Sequence, residues 1–231
     1  MIQISNLSKK YGETVVFSDL NYTFENACIY GLVGRNGAGK TTLLNILSNY
    51  DKNYTGVISI DRKKMNKVDY LDMPVAYAMD QPSFFNELTI YENLFLIASS
   101  RKIKKQEAFD KIERILDGLG LKKYENYSPL ELSKGTMQRL NNACAMIQEE
   151  KITIFDEPFS GLDPVQMKLL ENVMVEFHKK EKGIYIISSH DIECLQNVCD
   201  KCLLLHNGQI REINMEEVDR EEIAKILSEG E

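Results

Sequence analysis

The sequence has no apolar run approaching the ~20 residues needed to span a bilayer, and its N-terminus lacks the pattern of an export signal. If the chain works at a membrane, a partner is expected to supply the spanning helices. A positive charge balance is missing as well. The formal net charge is −7 and the isoelectric point about 5.2, which argues against broad nucleic-acid binding, so no nucleic acid is expected as a partner. Internal repeats and low-complexity segments are also absent, which excludes a repeat array. The five cysteines are Cys28, Cys144, Cys194, Cys199 and Cys202, an odd count. Without an export signal this points to reduced thiols in a cytosolic compartment. Cys199 and Cys202 form a CxxC pair, but no second ligand pair at zinc spacing lies nearby. Cys202 reads instead as a small buried residue opening the apolar run 202–205.

What is present is a chain of 231 residues, 43% hydrophobic and 27% charged, enough for one sizeable domain or a domain with a subdomain. Residues 2–7 and 14–24 alternate apolar and polar positions around Lys9-Lys10-Tyr11-Gly12, which predicts antiparallel strands. Residues 29–33 form a short apolar run leading into a Gly-rich loop, and residues 43–47 continue as a helix. Further strands are expected at 55–60, 75–79, 152–155, 184–188 and 202–205. From about residue 82 to 150 the pattern is helical. Phe109, Ile112, Ile115, Leu116 and Leu119 recur at helical spacing, with Gly120 as a C-cap. Residues 215–227 read as a charged amphipathic surface helix. Strands alternating with helices indicate an α/β fold with a mainly parallel sheet, into which a helical segment is inserted.

Gly34-Arg35-Asn36-Gly37-Ala38-Gly39-Lys40-Thr41 fits GxxxxGK[ST], the phosphate-cradling loop, here between an apolar strand and a periodic helix. Its glycines let backbone N–H groups turn inward around phosphates. Lys40 would reach the β- and γ-phosphates, the Thr41 hydroxyl would ligate Mg²⁺, and the following helix points its positive end at the triphosphate. Asn66-Lys67-Val68-Asp69 fits the guanine-reading NKxD pattern and Asp117-Gly118-Leu119-Gly120 fits DxxG. Their order is reversed relative to GTPases, however, and the first lies in a polar stretch rather than after a buried strand. The guanine reading is rejected on that context. The run 152–155 ends in Asp156 and Glu157. The first can hold Mg²⁺ through water. The second can orient and deprotonate an attacking water, which favours hydrolysis over transfer to a second substrate.

These features together resemble the ATP-binding subunit of ATP-binding cassette (ABC) transporters, in family order over nearly the whole chain. The resemblance implies that Tyr11 stacks on adenine and that Gly34 to Thr42 is the Walker A loop (Gly34, Arg35, Asn36, Gly37, Ala38, Gly39, Lys40, Thr41 and Thr42). It implies that Gln81 is the Q-loop glutamine, facing the γ-phosphate and the metal. Leu132-Ser133-Lys134-Gly135-Thr136 takes the place of the signature loop, Asp156 and Glu157 that of Walker B and the catalytic glutamate, Asp163 that of the D-loop acid and His190 that of the switch histidine. In the family the signature loop meets the γ-phosphate held by an opposite protomer. Ser133, Lys134, Gly135, Thr136 and Asp163 are therefore expected to complete the site of a second copy or a related ATPase subunit.

The implied cofactors are ATP and Mg²⁺. The implied fold is a P-loop NTPase of ABC type, a mixed, mainly parallel sheet core with an N-terminal antiparallel β-subdomain. Residues 1–81 and 151–231 would form the catalytic core with that subdomain, and 82–150 the helical signature subdomain. The implied partner is a membrane-spanning permease subunit, which would hold the chain peripherally at the cytoplasmic face of the cell membrane. Phe84, Phe85, Leu88 and Tyr91 are candidates for contacting it. The signature departs from the family's LSGGQ: Lys134 replaces a glycine and Thr136 a glutamine, and Asn141-Asn142 departs from the usual Ala/Arg-rich helix. The short chain and this signature look most like ATPases of ABC-2-type exporters of drugs, peptides, lipids or polysaccharides. An importer subunit and a soluble, non-transport ABC ATPase are the alternatives.

Overall fold

The computed structural model describes residues 1–68 and 72–214. Two sheets and five α-helices make up the described chain. β1 (Ile2–Tyr11), β2 (Thr14–Phe24), β4 (Thr55–Ile60) and the two-residue β5 (Lys63–Lys64) form an antiparallel sheet ordered β2-β1-β4-β5. β3 (Cys28–Val33), β6 (Val75–Ala78), β7 (Ile152–Phe155), β8 (Ile184–Ser189), β9 (Lys201–His206) and β10 (Gln209–Ile213) form the second, ordered β10-β9-β3-β8-β7-β6. Every pairing in it is parallel except the β9–β10 hairpin. The loops leaving β3, β6, β7 and β8 therefore gather at one edge of this sheet, where an open α/β sheet binds its ligands.

A parallel sheet covered on both faces needs strands that are apolar throughout, and every residue of β3, β7 and β8 is buried. Alternation then divides the core. Ile29, Val33, Phe155, Tyr185, Ile187 and Leu204 face the helical side, whereas Tyr30, Leu32, Ile154, Ile186, Leu203 and Leu205 face α1 (Lys40–Leu47) and the antiparallel sheet. α2 (Ile90–Ser100), α3 (Lys105–Gly118) and α4 (Lys134–Met146) come between β6 and β7 in the chain, and α5 (Pro164–Glu181) joins β7 to β8. Lys111 of α3 is fully buried between Glu149, 2.6 Å away, and Glu181, 3.1 Å away, so it fastens the inserted helices to α5.

Most expected elements fall where the pattern places them. The C-cap of α3 is Leu119, and Gly120, expected in that place, is the left-handed residue one beyond it at φ +61°, where the Leu121 N–H returns to the Leu116 carbonyl at 2.7 Å. That turn also accounts for the accidental DxxG match. Asn66 and Lys67 sit in a 3₁₀ turn after the exposed pair Lys63–Lys64, away from any buried strand. Two elements were not expected from periodicity. α5 carries Asp163 as N-cap and Pro164 at its first position, a start signal legible in the sequence. β10 pairs its five residues with β9 through a tight turn at Asn207 and Gly208, both left-handed. Residues 215–227, the expected terminal helix, lie outside the described residues.

Candidate functional site

β3 runs buried to Val33, and the chain then turns through residues 34–39 into α1. Gly37 and Gly39 are left-handed at φ +79° and +101°. A Cβ on Gly39 would lie 2.7 Å from Val16 Cγ1, and one on Gly34 would lie 2.8 Å from the Leu205 carbonyl oxygen. The loop is thus wedged between β2 and β9, and only glycine fits either position. Gly39 is the N-cap of α1 and gives it no side-chain cap, so the first N–H groups of that helix remain available to an anion. Lys40, its side chain 7% exposed, folds back over the loop and donates to the Gly34 carbonyl at 2.7 Å. Its Nζ also lies 3.6 Å from Glu157 Oε1.

Asp156 is 1% exposed just beyond β7. Ser188 Oγ donates to its Oδ1 at 2.6 Å, the Tyr77 hydroxyl reaches its Oδ2 at 3.4 Å, and the Thr41 side chain hydrogen-bonds to it as well. Burial nevertheless pushes its pKa above the usual carboxylate value, against those hydrogen bonds. A buried acid held against a hydroxyl at a helix N-terminus supplies hard oxygen donors and a charge that a cation would neutralise, so this set fits Mg²⁺. The sign follows from linkage: a carboxyl whose folded pKa is raised destabilises the fold once ionised. Asp156→Asn is therefore expected to melt above the native chain at neutral pH without nucleotide, the gap closing as pH falls through the raised Asp156 pKa. The same variant should lose roughly 10–100-fold in magnesium-dependent hydrolysis, the range for a group that orients a metal's ligand shell. A melting scan and an ATPase assay check both halves.

Glu157 adopts a left-handed backbone at φ +49°, uncommon for a non-glycine residue. Its N–H donates to Ser188 Oγ at 2.9 Å, and its Oε2 lies 2.9 Å from His190 Nδ1. One carboxylate oxygen thus faces Lys40 and the other His190, the geometry of a base held beside a cation and a polar orienting group.

A cleft of about 430 Å³ joins these groups. Its walls are Tyr11, Thr14 and Val16, the loop residues Arg35, Asn36, Gly37, Gly39, Lys40, Thr41 and Thr42, and the acids Asp80, Asp156 and Glu157. Tyr11 is 53% exposed; its hydroxyl donates to Asp51 at 3.1 Å and Lys9 Nζ lies 4.5 Å from its ring centre. Gln81 is exposed, three residues past the end of β6 rather than at the strand end, and Asp80 takes its place on the cleft wall. His190 reaches the cleft only through Glu157.

The signature residues stand elsewhere. Ser133 is the N-cap of α4, its Oγ accepting the Thr136 N–H at 3.3 Å, and none of residues 133–136 lines the cleft. A Cβ on Gly135 would come within 3.0 Å of both the Gly161 carbonyl and Gln166 Oε1, so the loop lies against the start of α5. The Lys134 chain runs alongside Gly161. Thr136 is placed differently from its expected role. It is 3% exposed and turns its hydroxyl to Ser133 Oγ at 2.9 Å and to Arg139 Nη2 at 3.3 Å, so it supports the loop instead of facing a partner. Asp163 Oδ1 caps α5 by accepting the Gln166 N–H at 2.9 Å. Sequence reasoning missed Ser188, Tyr77 and Asp80, which lie inside or just past apolar strands and carry no motif of their own.

The profile of the ABC transporter family matches residues 17–160. The bacitracin transport ATP-binding protein of Enterococcus faecalis is 30% identical over 222 residues, 95% of this chain and 71% of that protein. The tungstate uptake system ATP-binding protein of Peptoclostridium acidaminophilum is 29% identical over 211 residues, 91% of this chain and 97% of that protein. A solved ATP-binding subunit of an ABC transporter superposes with a TM-score of 0.85 at 27% identity, covering 98% of this chain and 94% of that one.

Proposed function

This chain belongs to the ABC transporter family as an ATP-binding subunit and ATPase, and from that premise we propose that it powers transport as one of a pair of cassettes bound to a membrane permease. The observation that carries the reading is the convergence of Lys40, Thr41, Asp156 and Glu157 on one cleft beside Tyr11.

ATP enters with its adenine on Tyr11 and its phosphates over residues 34–42, and Lys40 exchanges the Gly34 carbonyl for phosphate oxygens. Thr41 and Asp156 would hold Mg²⁺, and Gln81 would add a further oxygen once it turns in from its exposed position beyond β6. Mg²⁺ held there would supply charge neutralisation for the phosphoryl oxygens. Glu157 takes the proton of the water that attacks the γ-phosphorus, His190 fixes its orientation, and Lys40 stabilises the charge that builds on the departing ADP as the β–γ bond breaks. Ser133, Lys134 and Gly135 stand outside the cleft that holds this chemistry, which supports completion of each site by a second copy or a related subunit. Asp163 lies on the adjoining segment, and residues 82–150 form the unit that presents the signature.

Phe85 is 58% exposed on a turn pinned from both sides: its N–H donates to Asn93 Oδ1 at 3.0 Å and its carbonyl accepts from Asn93 Nδ2 at 3.0 Å. An exposed aromatic on a rigid turn supports a permease contact there, with Phe84, Leu88 and Tyr91 beside it. No helix among the described residues is long and apolar enough to cross a membrane; attachment through the permease at the cytoplasmic face is part of the same proposal. Export is our reading of direction, from the LSKGTMQRL signature; the tungstate uptake relative favours import as the second reading. The test is to tag the chain, solubilise membranes gently and identify what copurifies. A multi-spanning membrane protein is expected. Copurification with ribosomes and no membrane protein would overturn the assignment.

A further inference from the structure

Asn141 and Asn142 break the composition expected of the signature helix, and the structure gives them a use. With Gln138 they lie at i, i+3 and i+4, one face of α4, and all three donate to main-chain carbonyls. Gln138 Nε2 donates to the Glu157 carbonyl at 3.2 Å, Asn142 Nδ2 to the Pro158 carbonyl at 3.2 Å, and Asn141 Nδ2 to the Met79 carbonyl at 2.7 Å. The first two acceptors belong to Glu157 and the residue after it. The third lies one residue before the cleft-wall acid Asp80. A single helix face thus grips the segment beyond β7 and the segment beyond β6, on the helix whose N-terminus carries Ser133 and Gly135.

Glu157 needs such a grip. Its φ of +49° is a conformation that L-residues leave readily unless their surroundings fix it, and rotation there would swing the carboxylate away from Lys40 and His190. From below, Ser188 accepts its N–H. From the α4 side, Gln138 and Asn142 hold its carbonyl and the next. Asn142 is 0% exposed and its Oδ1 has no hydrogen-bond partner, so an apolar residue here would remove an unmet buried oxygen and forfeit only the bond to the Pro158 carbonyl. Its one bond, to the loop carrying Glu157, is what distinguishes it from a leucine.

We propose that Gln138 and Asn142 are positioning residues for Glu157, so that the helix presenting the signature loop also sets the aim of the catalytic carboxylate. The proposal rests on the reading of Glu157 as the base. Movement of α4 when Ser133 meets a partner's phosphate would then be felt directly at Glu157, through two hydrogen bonds rather than through the sheet.

The experiment uses the full chain with Gln138→Met and Asn142→Leu, singly and together, near-isosteric changes that remove only the donors. Turnover with magnesium ATP, affinity for a fluorescent ATP analogue and melting temperature are measured side by side. The double variant is expected to lose about 10–100-fold in kcat, as a displaced reacting group does, with KM and nucleotide affinity within about twofold of native. Gln138→Lys, which restores an N–H donor of similar reach, should recover most of the single-site loss. Native kcat in the double variant overturns the proposal. So does a loss of kcat matched by equal losses in affinity and melting temperature, because that pattern marks general loosening. Near-native turnover in Glu157→Gln would instead sink the base assignment, a separate failure that this set of variants distinguishes.

Discussion

Glu157→Gln is expected to retain ATP binding while hydrolysing it roughly 10²–10⁴-fold more slowly, the range attributed to a positioned general base. The amide keeps the shape of the side chain and can still meet His190, 2.9 Å from Oε2. It cannot accept the proton of water. It also removes the negative charge that lies 3.6 Å from Lys40 Nζ, so the lysine is freer to meet phosphate and affinity should hold or rise. If each site is shared by two chains, ATP that is bound and not consumed locks the pair together. On a sizing column the variant with ATP and Mg²⁺ should run as a dimer and without nucleotide as a monomer. Near-normal turnover would contradict the role of Glu157, and an unchanged elution position would contradict the shared site.

Lys40→Ala should weaken nucleotide affinity by at least ~10²-fold, as expected when one partner of a buried, charge-assisted pair is removed. The position explains the size of the effect. The side chain is 7% exposed and already deprived of water, and its partners among the described residues are the Gly34 and Arg35 carbonyls and Glu157. Phosphate oxygens replace the two neutral carbonyls with full charges, so the lysine contributes more to the bound state than to the empty one. Alanine also leaves Glu157 facing the incoming phosphates with no cation between them, and repulsion adds to the loss. Titration calorimetry or a fluorescent nucleotide would measure it, and an unchanged dissociation constant would refute the loop assignment.

The fold was legible where one periodicity dominates. β2, β4 and β7 begin and end where alternation or apolar runs place them, because each has one or two buried faces that dictate the pattern. α5 was less visible because its hydrophobic face is diluted by charges: Leu170, Val173, Met174 and Phe177 are buried among lysines and glutamates. The Asp163-Pro164 start signal was the better clue. The local parts of the site, residues 34–42 with Asp156 and Glu157, announce themselves because one loop and one strand end supply them. Ser188 does not. Its importance comes from β8 lying beside β7, which puts its hydroxyl between the Glu157 N–H and Asp156. Thr136 shows the opposite error, a motif position that folding turns inward. No spacing rule could have shown that Gln138 and Asn142 reach the Glu157 loop, since that contact depends on where α4 lies across the sheet.

The separation of residues 133–136 from the phosphate cleft has a genetic consequence. In a pair of identical chains, each site would draw its phosphate loop from one copy and its signature from the other. A copy defective at Lys40 keeps a sound signature, and a copy defective at Ser133 keeps a sound phosphate loop. Two such alleles, each silent alone, would rebuild one whole site when expressed together, whereas two alleles damaged in the same loop would rebuild none. Complementation between alleles thus becomes a map of which surfaces of this chain serve itself and which serve its neighbour.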